Sequence, residues 1–208
     1  MEIELKYIIE EEFTRDKILQ DQHLIQMADE GSLETIPMKA VYFDTEDKAL
    51  LHKKFAFRVR YEGELPVATL KWGGGAENGL HCRGELNVTV NEEFAANPSV
   101  DIFKGSDIYE EISETAGGRP LTAVMEMEFI RRQIHVDTGK SITVVSCDEG
   151  EIRTTGGNAL ISELEVELYS GDQEDMIALG NELAVKYNLK PGDKSKYQRG
   201  LELLGMEE

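Results

Sequence analysis

The sequence predicts an α+β protein in which eight strands form an antiparallel, barrel-like sheet with about three helices packed outside. Two observations predict this fold. Eight segments alternate polar and apolar residues with period two, and turn residues separate them; they are 2–8, 39–43, 55–61, 67–72, 83–90, 130–136, 141–148 and 162–169. Three further segments have helical spacing, namely 14–28, 107–116 and 172–187.

Composition limits the classes of function. The chain has 208 residues, with 41 acidic against 22 basic side chains and a formal net charge of −19. Such an acidic balance argues against a nucleic-acid-binding surface, which needs a basic footprint. It permits a metal site, because divalent cations such as Mg²⁺ prefer carboxylate oxygens.

The expected location follows from three absences in the sequence. No apolar run approaches the ~18 residues of a membrane span, and the N-terminus has no signal-peptide pattern. The only two cysteines, Cys82 and Cys147, are too few for a disulfide scaffold. We therefore expect a soluble cytoplasmic protein with neither a membrane nor a nucleic acid as partner.

Charged residues are sorted onto one face of the predicted strands. In the first strand Glu2, Glu4 and Lys6 share a face, and apolar residues share the other. The later strands place on one face Arg58 and Arg60, Thr69 and Lys71, Arg83 and Glu85, Arg131, and finally Glu163, Glu165 and Glu167. One such face is usually just solvated. All six together favour a sheet that closes with these faces inward.

A closed sheet of this kind has a defined chemistry. Three glutamates on one face of a strand stand roughly 7 Å apart and repel one another, so they need cations opposite. The lumen would then have an acidic wall and a basic wall. Lysines and arginines would bind a polyanion, and the carboxylates would bind divalent metals. Multiply phosphorylated substrates with Mg²⁺ or Mn²⁺ suit that arrangement.

The glycine-rich stretch 73–79 is interpreted as a loop between two strands. The four histidines show no metal-ligand spacing and are expected at the surface or behind the site; they are His23, His52, His81 and His135. Arg132 lies on the apolar side of its strand, so its orientation stays open, as do those of Glu85 and Glu167.

The N-terminal Glu2-Ile3-Glu4-Leu5-Lys6 resembles the Glu-x-Glu-x-Lys signature of the CYTH superfamily, the triphosphate tunnel metalloenzymes. Further elements follow in the family's order: Tyr42-Phe43-Asp44-Thr45, Phe57-Arg58-Val59-Arg60, Thr69-Leu70-Lys71, Arg83-Gly84-Glu85, Asp148, Glu163-Leu164-Glu165 and 194–200. Segments 79–83 and 161–172 resemble the bacterial inorganic triphosphatase branch most closely.

The resemblance implies a single domain over residues 1–208, built as an eight-stranded antiparallel β-barrel tunnel that binds triphosphate lengthwise. Its implied phosphate contacts are Lys6, Arg58, Arg60, Lys71, Arg83, Arg131 and Lys196. Its implied ligands for one or two Mg²⁺ or Mn²⁺ ions are Glu2, Glu4, Asp148, Glu163 and Glu165. Lys6, Glu4 and Glu165 are the implied catalytic residues, with Lys6 orienting the attacking water or stabilising the leaving oxygen.

The expected reaction is metal-dependent hydrolysis of tripolyphosphate, a small polyanion, to phosphate and pyrophosphate. A class IV adenylate cyclase of the same superfamily is an alternative, although no nucleobase-binding determinant is recognisable. A thiamine triphosphatase, which would need aromatic residues at the tunnel mouth, is another. A non-catalytic polyphosphate-binding module would have lost a metal carboxylate, whereas the acidic set here is intact. A homodimer is left open.

Overall fold

Eight antiparallel strands close into a barrel in the computed structural model, which describes residues 1–207. The strands are β1 (Glu2–Ile8), β2 (Glu34–Asp44), β3 (Phe55–Glu62), β4 (Leu65–Glu77), β5 (Leu80–Thr89), β6 (Thr122–Asp137), β7 (Ser141–Thr154) and β8 (Gly157–Gly171). Around the barrel they run β5-β4-β3-β2-β6-β7-β8-β1, and β1 pairs back onto β5. A two-residue strand, β9 (Lys190–Pro191), extends the pairing along β1. The predicted eight-stranded antiparallel barrel is confirmed.

Short helices pack around this barrel and against one of its ends. They are α1 (Thr14–Leu19), α2 (Gln22–Met27), α3 (Ala49–His52), α4 (Glu92–Ala96), α5 (Tyr109–Ala116), α6 (Gln173–Tyr187) and α7 (Lys196–Leu203), with a 3₁₀ turn at Val100–Phe103. The helices predicted at 107–116 and 172–187 correspond to α5 and α6. None of the helices within residues 1–207 combines the length and apolarity that a membrane-spanning helix needs.

The single helix predicted over 14–28 is wrong, because the chain forms two helices there. Asp21 between them is extended, with φ −60° and ψ 123°. Its side chain accepts a hydrogen bond from the backbone N–H of His23 and so caps α2. Extended backbone at a cap ends the preceding helix, although the apolar spacing continues through it.

The glycine-rich stretch is largely strand rather than loop, which corrects the prediction for 73–79. β4 runs through it, with a bulge between Trp72 and Gly75 in the pairing with β5. Gly74 has a φ of +83°, and a Cβ there would lie 2.0 Å from the carbonyl oxygen of Cys82. Only glycine fits at this position, because the neighbouring backbone approaches so closely.

The apolar faces of the strands point away from the lumen and pack under the helices. Tyr7 and Met176 belong to the cluster beneath α6, and the Tyr7 hydroxyl donates to Asn181 over 3.1 Å. Phe57 of β3 packs edge-on against Phe103, with ring centroids 5.5 Å apart. Burying each such side chain stabilises the fold by about 1.5–3 kcal/mol.

A third apolar cluster lies on the inner face of the barrel. Tyr42 shares that face with Arg58, directly opposite on β3. Tyr42 clusters with Met125 and Met127 of β6 and with Tyr197 of α7, and the two tyrosine rings stack with centroids 4.9 Å apart. Helix α7 therefore packs against one end of the barrel interior. The opposite part of the interior is left to the charged side chains.

Asp44, the last residue of β2, fixes the turn that leads to β3. It is buried, and its Oδ1 accepts hydrogen bonds from the backbone N–H groups of Thr45 and Leu50. Its Oδ2 accepts one from the N–H of Leu51 over 3.0 Å. These bonds satisfy buried backbone donors before and within the first turn of α3, which have no acceptor within the helix. The aspartate of the Tyr-Phe-Asp-Thr element therefore has a structural role here.

Asp44→Ala is expected to destabilise the protein by about 2–5 kcal/mol, because it leaves buried backbone donors without an acceptor. Thermal denaturation measures the effect. Asp47→Ala is the matched control, since Asp47 lies three residues later and is exposed in a surface ion pair with Arg119. A loss of stability no larger than that of Asp47→Ala would refute this role for Asp44.

Candidate functional site

The charged faces of the strands meet around a cavity of about 160 Å³ inside the barrel. Eight cationic side chains line it: Lys6, Lys54, Arg58, Arg60, Lys71, Arg83, Arg131 and Lys196. Five acidic side chains line it: Glu2, Glu4, Glu85, Glu165 and Glu167. The lining cations thus outnumber the lining carboxylates, and Asp148, Glu163 and Glu62, which do not line the cavity, supply balancing charge through ion pairs with Lys196 and Arg60.

Strand register explains how residues distant in sequence meet here. Lys6 lies opposite Glu165 on the β1–β8 ladder, and Glu2 lies opposite Arg83 on the β1–β5 ladder. Residues directly opposite on an antiparallel ladder point to the same face. The alternation of each strand therefore places its whole charged set in the lumen.

Lys6 is buried among three carboxylates on the acidic side of the cavity. Its Nζ lies 3.4 Å from Glu4 Oε1, 3.1 Å from Glu165 Oε1 and 3.6 Å from Glu163 Oε2. Burial alone would lower the pKa of Lys6, but these carboxylates raise it above its usual value. Lys6 is thus held as a cation, suited to stabilising negative charge rather than to accepting a proton.

Lys196, the first residue of α7, reaches the same acidic side. Its Nζ lies 2.8 Å from Asp148 Oδ2, 3.0 Å from Glu163 Oε2 and 2.8 Å from Glu165 Oε1. Arg131 donates to both oxygens of Asp148, over 2.8 and 2.7 Å. Asp148 and Glu163 are fully buried and do not line the cavity. Their position suits them to hold Lys196 and Arg131 in place.

The second ion-pair group joins β1, β4 and β5. Lys71 Nζ lies 2.7 Å from Glu2 Oε1 and 2.6 Å from Glu85 Oε2, and Arg83 Nε lies 2.6 Å from Glu2 Oε2. Burial opposes ionisation of Glu2, but Lys71 and Arg83 lower its pKa well below its usual range. Glu2 is therefore a carboxylate at neutral pH, held by two cations.

Glu167 differs from the other lumen carboxylates. Within residues 1–207 no lysine or arginine forms an ion pair with it, and it lies directly opposite Glu4 on the ladder. Burial, together with Glu2, Glu4 and Glu165, raises the pKa of Glu167 to about 7. Around Glu167, the negative charge of the carboxylates therefore exceeds the positive charge of the nearby lysines and arginines.

The basic wall on β3 has unpaired donors. The Nε atoms of Arg58 and Arg60 are buried and have no hydrogen-bond partner. Arg58 donates from Nη1 to the Tyr42 hydroxyl over 3.2 Å but forms no ion pair within the described chain. Arg60 pairs with Glu62 near the end of β3. Unpaired buried guanidinium donors are costly, so an anion bound between these arginines would be stabilised.

Carboxylates are the kind of ligand that a hard divalent cation such as Mg²⁺ prefers, because they offer oxygen donors. In residues 1–207, however, no group of three or more histidine, cysteine or acidic side chains is arranged to hold a metal ion. Glu2, Glu4 and Glu165 each contact a lysine or arginine instead. A metal would therefore be held by these residues only after they exchange those cationic partners.

All seven predicted phosphate contacts line the cavity. Three of the five predicted metal ligands, Glu2, Glu4 and Glu165, also line it. Of the orientations left open, Glu85 and Glu167 face the lumen, whereas Arg132 points outward and pairs with Asp16.

Sequence reasoning missed several residues at the site. The cavity lining includes Lys54 in the turn before β3 and Tyr42 on β2. His81, expected at the surface or behind the site, is buried, and its Nε2 lies 2.8 Å from the carbonyl oxygen of Gly192. Lys54 precedes the alternating segment of its strand, so no periodic pattern could reveal it. Tyr42 and His81 could have been predicted only from strand pairing, by assuming that a residue directly opposite a lumen residue also faces the lumen.

A curated relative, the inorganic triphosphatase of Haemophilus influenzae, is 29% identical over 167 residues. The match covers 80% of this chain and 46% of that protein, so the chain spans about half the length of this relative.

Solved structures share the fold. A Hippeastrum protein, described as an adenylyl cyclase with a dominant triphosphatase activity, superposes with a TM-score of 0.72 at 19% identity, over 99% of this chain and 97% of its own. A Pyrococcus horikoshii protein gives a TM-score of 0.58 at 17% identity, over 97% and 99%. The CYTH domain model matches residues 1–201. The chain therefore belongs to the CYTH domain family.

Proposed function

We propose that this protein hydrolyses inorganic triphosphate to phosphate and pyrophosphate within the barrel, with Mg²⁺ or Mn²⁺ as cofactor. The observation that carries the proposal is a cavity lined by eight cationic side chains, in which the buried Nε donors of Arg58 and Arg60 have no partner within the described chain. Such a cavity favours a small ligand that is negatively charged along its whole length. The name of the Haemophilus influenzae relative supports the same substrate.

The basic wall would position the substrate. Arg58 and Arg60 stand two residues apart on β3, roughly 7 Å along the strand, which is a spacing suited to successive phosphoryl groups. Their unpaired Nε atoms offer donors to phosphate oxygens. The N-terminus of α7, with Ser195 and Lys196 at the cavity, adds the positive end of a helix dipole.

The acidic side would supply the chemistry. Bound Mg²⁺ or Mn²⁺ supplies charge neutralisation on phosphate oxygens and activation of an attacking water. Glu2, Glu4 and Glu165 would hold it, with Glu167 as a further oxygen donor beside them. Lys6, kept protonated by its carboxylates, would stabilise the charge that develops on the leaving oxygen.

Substrate and metal together would rearrange the existing ion pairs. A triphosphate between the walls would draw Lys71 and Arg83 from Glu2 onto phosphate oxygens. Glu2 would then be free to bind the cation. The internal pairs thus keep both walls charged in the empty lumen, where isolated buried charges would be very costly.

We expect phosphate release from tripolyphosphate to require Mg²⁺ or Mn²⁺ and to stop in excess chelator. Glu4→Gln and Glu165→Gln should each lower kcat by at least about a hundredfold, because each removes a charged oxygen ligand without changing size. The exposed Glu30→Gln is the control and should behave as the wild type. Full activity in excess chelator would contradict the mechanism. Parallel assays with ATP and thiamine triphosphate identify the preferred substrate.

Arg60→Ala should weaken tripolyphosphate and ATP binding by similar factors of about ten to a hundred, because it removes a charge-assisted contact to the shared phosphate chain. Arg60→Lys should be milder, since lysine keeps the charge but loses the planar fork. Calorimetric titration in the Glu4→Gln background measures both ligands.

Arg132→Ala is the matched control for Arg60→Ala, because Arg132 points outward and pairs with Asp16. It should leave both affinities within about twofold of the parent, as expected for a surface contact. If Arg60→Ala changed neither affinity, Arg60 would have no role in binding and the basic wall would lose its main support.

A further inference from the structure

A second cavity of about 250 Å³ adjoins the tunnel where β3 begins and α7 packs. The glycine bulge of β4 lines it, together with Lys54, His81, Arg83 and Gln198. Lys54, Gly73 and Arg83 line this side cavity and the tunnel cavity alike. Because three lining residues are shared, the two cavities are adjacent.

The bulge accounts for the opening at this place. Gly73 and Gly74 have no register partners on β5, and both have positive φ angles, +59° and +83°. A bulge kinks its strand and interrupts the ladder locally. Because these glycines have no side chains, they leave more room beside Arg83 than any other residue would.

The side cavity is basic. Among the described residues that line it, Lys54 and Arg83 are cationic and none is acidic, and Arg83 also pairs with Glu2 and Glu4 on the tunnel side. Gln198 uses its Oε1 to accept the N–H of Ser195, which leaves its amide NH₂ as a donor. His81 contributes no charge, because burial and the nearby Lys6 lower its pKa. In a chain of net charge −19, this environment suits an anion.

Lys54 has an unusual backbone for its residue type. Its φ of +59° is in the left-handed region, which glycine adopts freely and lysine does not. Its side chain is exposed and forms no ion pair within residues 1–207, whereas the buried Lys6, Lys71 and Lys196 each contact carboxylates. Lys54 follows α3, and its backbone N–H donates to the carbonyl oxygen of Leu51, so its left-handed backbone closes the end of that helix. Its side chain lies where the two cavities meet.

We propose that the side cavity is a further phosphate subsite, which accepts one phosphoryl group beyond those held in the tunnel, with Lys54 as its specificity-determining cation. This inference rests on the proposed function of the tunnel. The phosphoryl group has two sources: the fourth unit of a longer inorganic polyphosphate, or orthophosphate alongside a triphosphate in the tunnel.

The test compares tripolyphosphate with tetrapolyphosphate in calorimetric titrations of wild type and Lys54→Gly. Chelator prevents turnover, and ³¹P NMR verifies that each ligand stays intact. The wild type should bind tetrapolyphosphate at least about tenfold more tightly, since one more charge-assisted contact forms. Lys54→Gly should abolish that preference, whereas Lys53→Gly, which alters an exposed neighbour outside both cavities, should keep it.

A second arm identifies the source of the phosphoryl group. Orthophosphate is titrated into protein already saturated with tripolyphosphate. Binding that is lost in Lys54→Gly identifies orthophosphate as an occupant of the subsite. Lys54→Gly should melt at the wild-type temperature or above it, because glycine relieves the left-handed backbone. A loss of preference in this variant is then not the result of unfolding.

The proposal is overturned if the wild type shows neither a tetrapolyphosphate preference nor orthophosphate binding beside tripolyphosphate. It is also overturned if Lys54→Gly weakens both polyphosphates equally, since Lys54 would then belong to the tunnel alone. A wild type that binds none of these ligands and also fails to hydrolyse tripolyphosphate with Mg²⁺ or Mn²⁺ would instead contradict the proposed function itself.

Discussion

The pairing of opposite charges across the lumen is the interaction on which the rest of the structure depends. Closing the barrel brings thirteen charged side chains around one cavity, and most of them are at least partly buried. An isolated buried charge costs many kcal/mol, so such a lumen is stable only when most charges have partners. Lys6 among three carboxylates and Glu2 between two cations are the two centres of this pairing. The fold and the chemistry of the site therefore have the same origin.

The same pairing accounts for the binding properties that we propose. Ion pairs inside the barrel keep both walls ionised, and the buried Nε donors of Arg58 and Arg60 have no partner within the described chain. A triphosphate with a divalent cation would bring charges of both signs, so each could pair with the wall of opposite charge. The fixed charges of the lumen would then offset the cost of desolvating the ligand and the cation.

Most of the barrel was predictable from the sequence because a strand with one charged face has a strict period of two. Glu163, Glu165 and Glu167 share a face whatever their neighbours are. Depth along the lumen was not predictable, since it depends on ladder register: Glu165 lines the cavity, whereas Glu163 is buried beneath it. The position of Lys54 in its turn and the four-residue helix α3 were also not predicted, because segments so short have no measurable periodicity.

The central claim is that the lumen hydrolyses triphosphate by attack of water on its terminal phosphorus. The most direct measurement is ³¹P NMR of tripolyphosphate incubated with the protein and Mg²⁺ or Mn²⁺ in ¹⁸O-enriched water. We expect equal amounts of orthophosphate and pyrophosphate, with the isotope in the orthophosphate. Intact tripolyphosphate under both metals, in protein verified as folded, would contradict it.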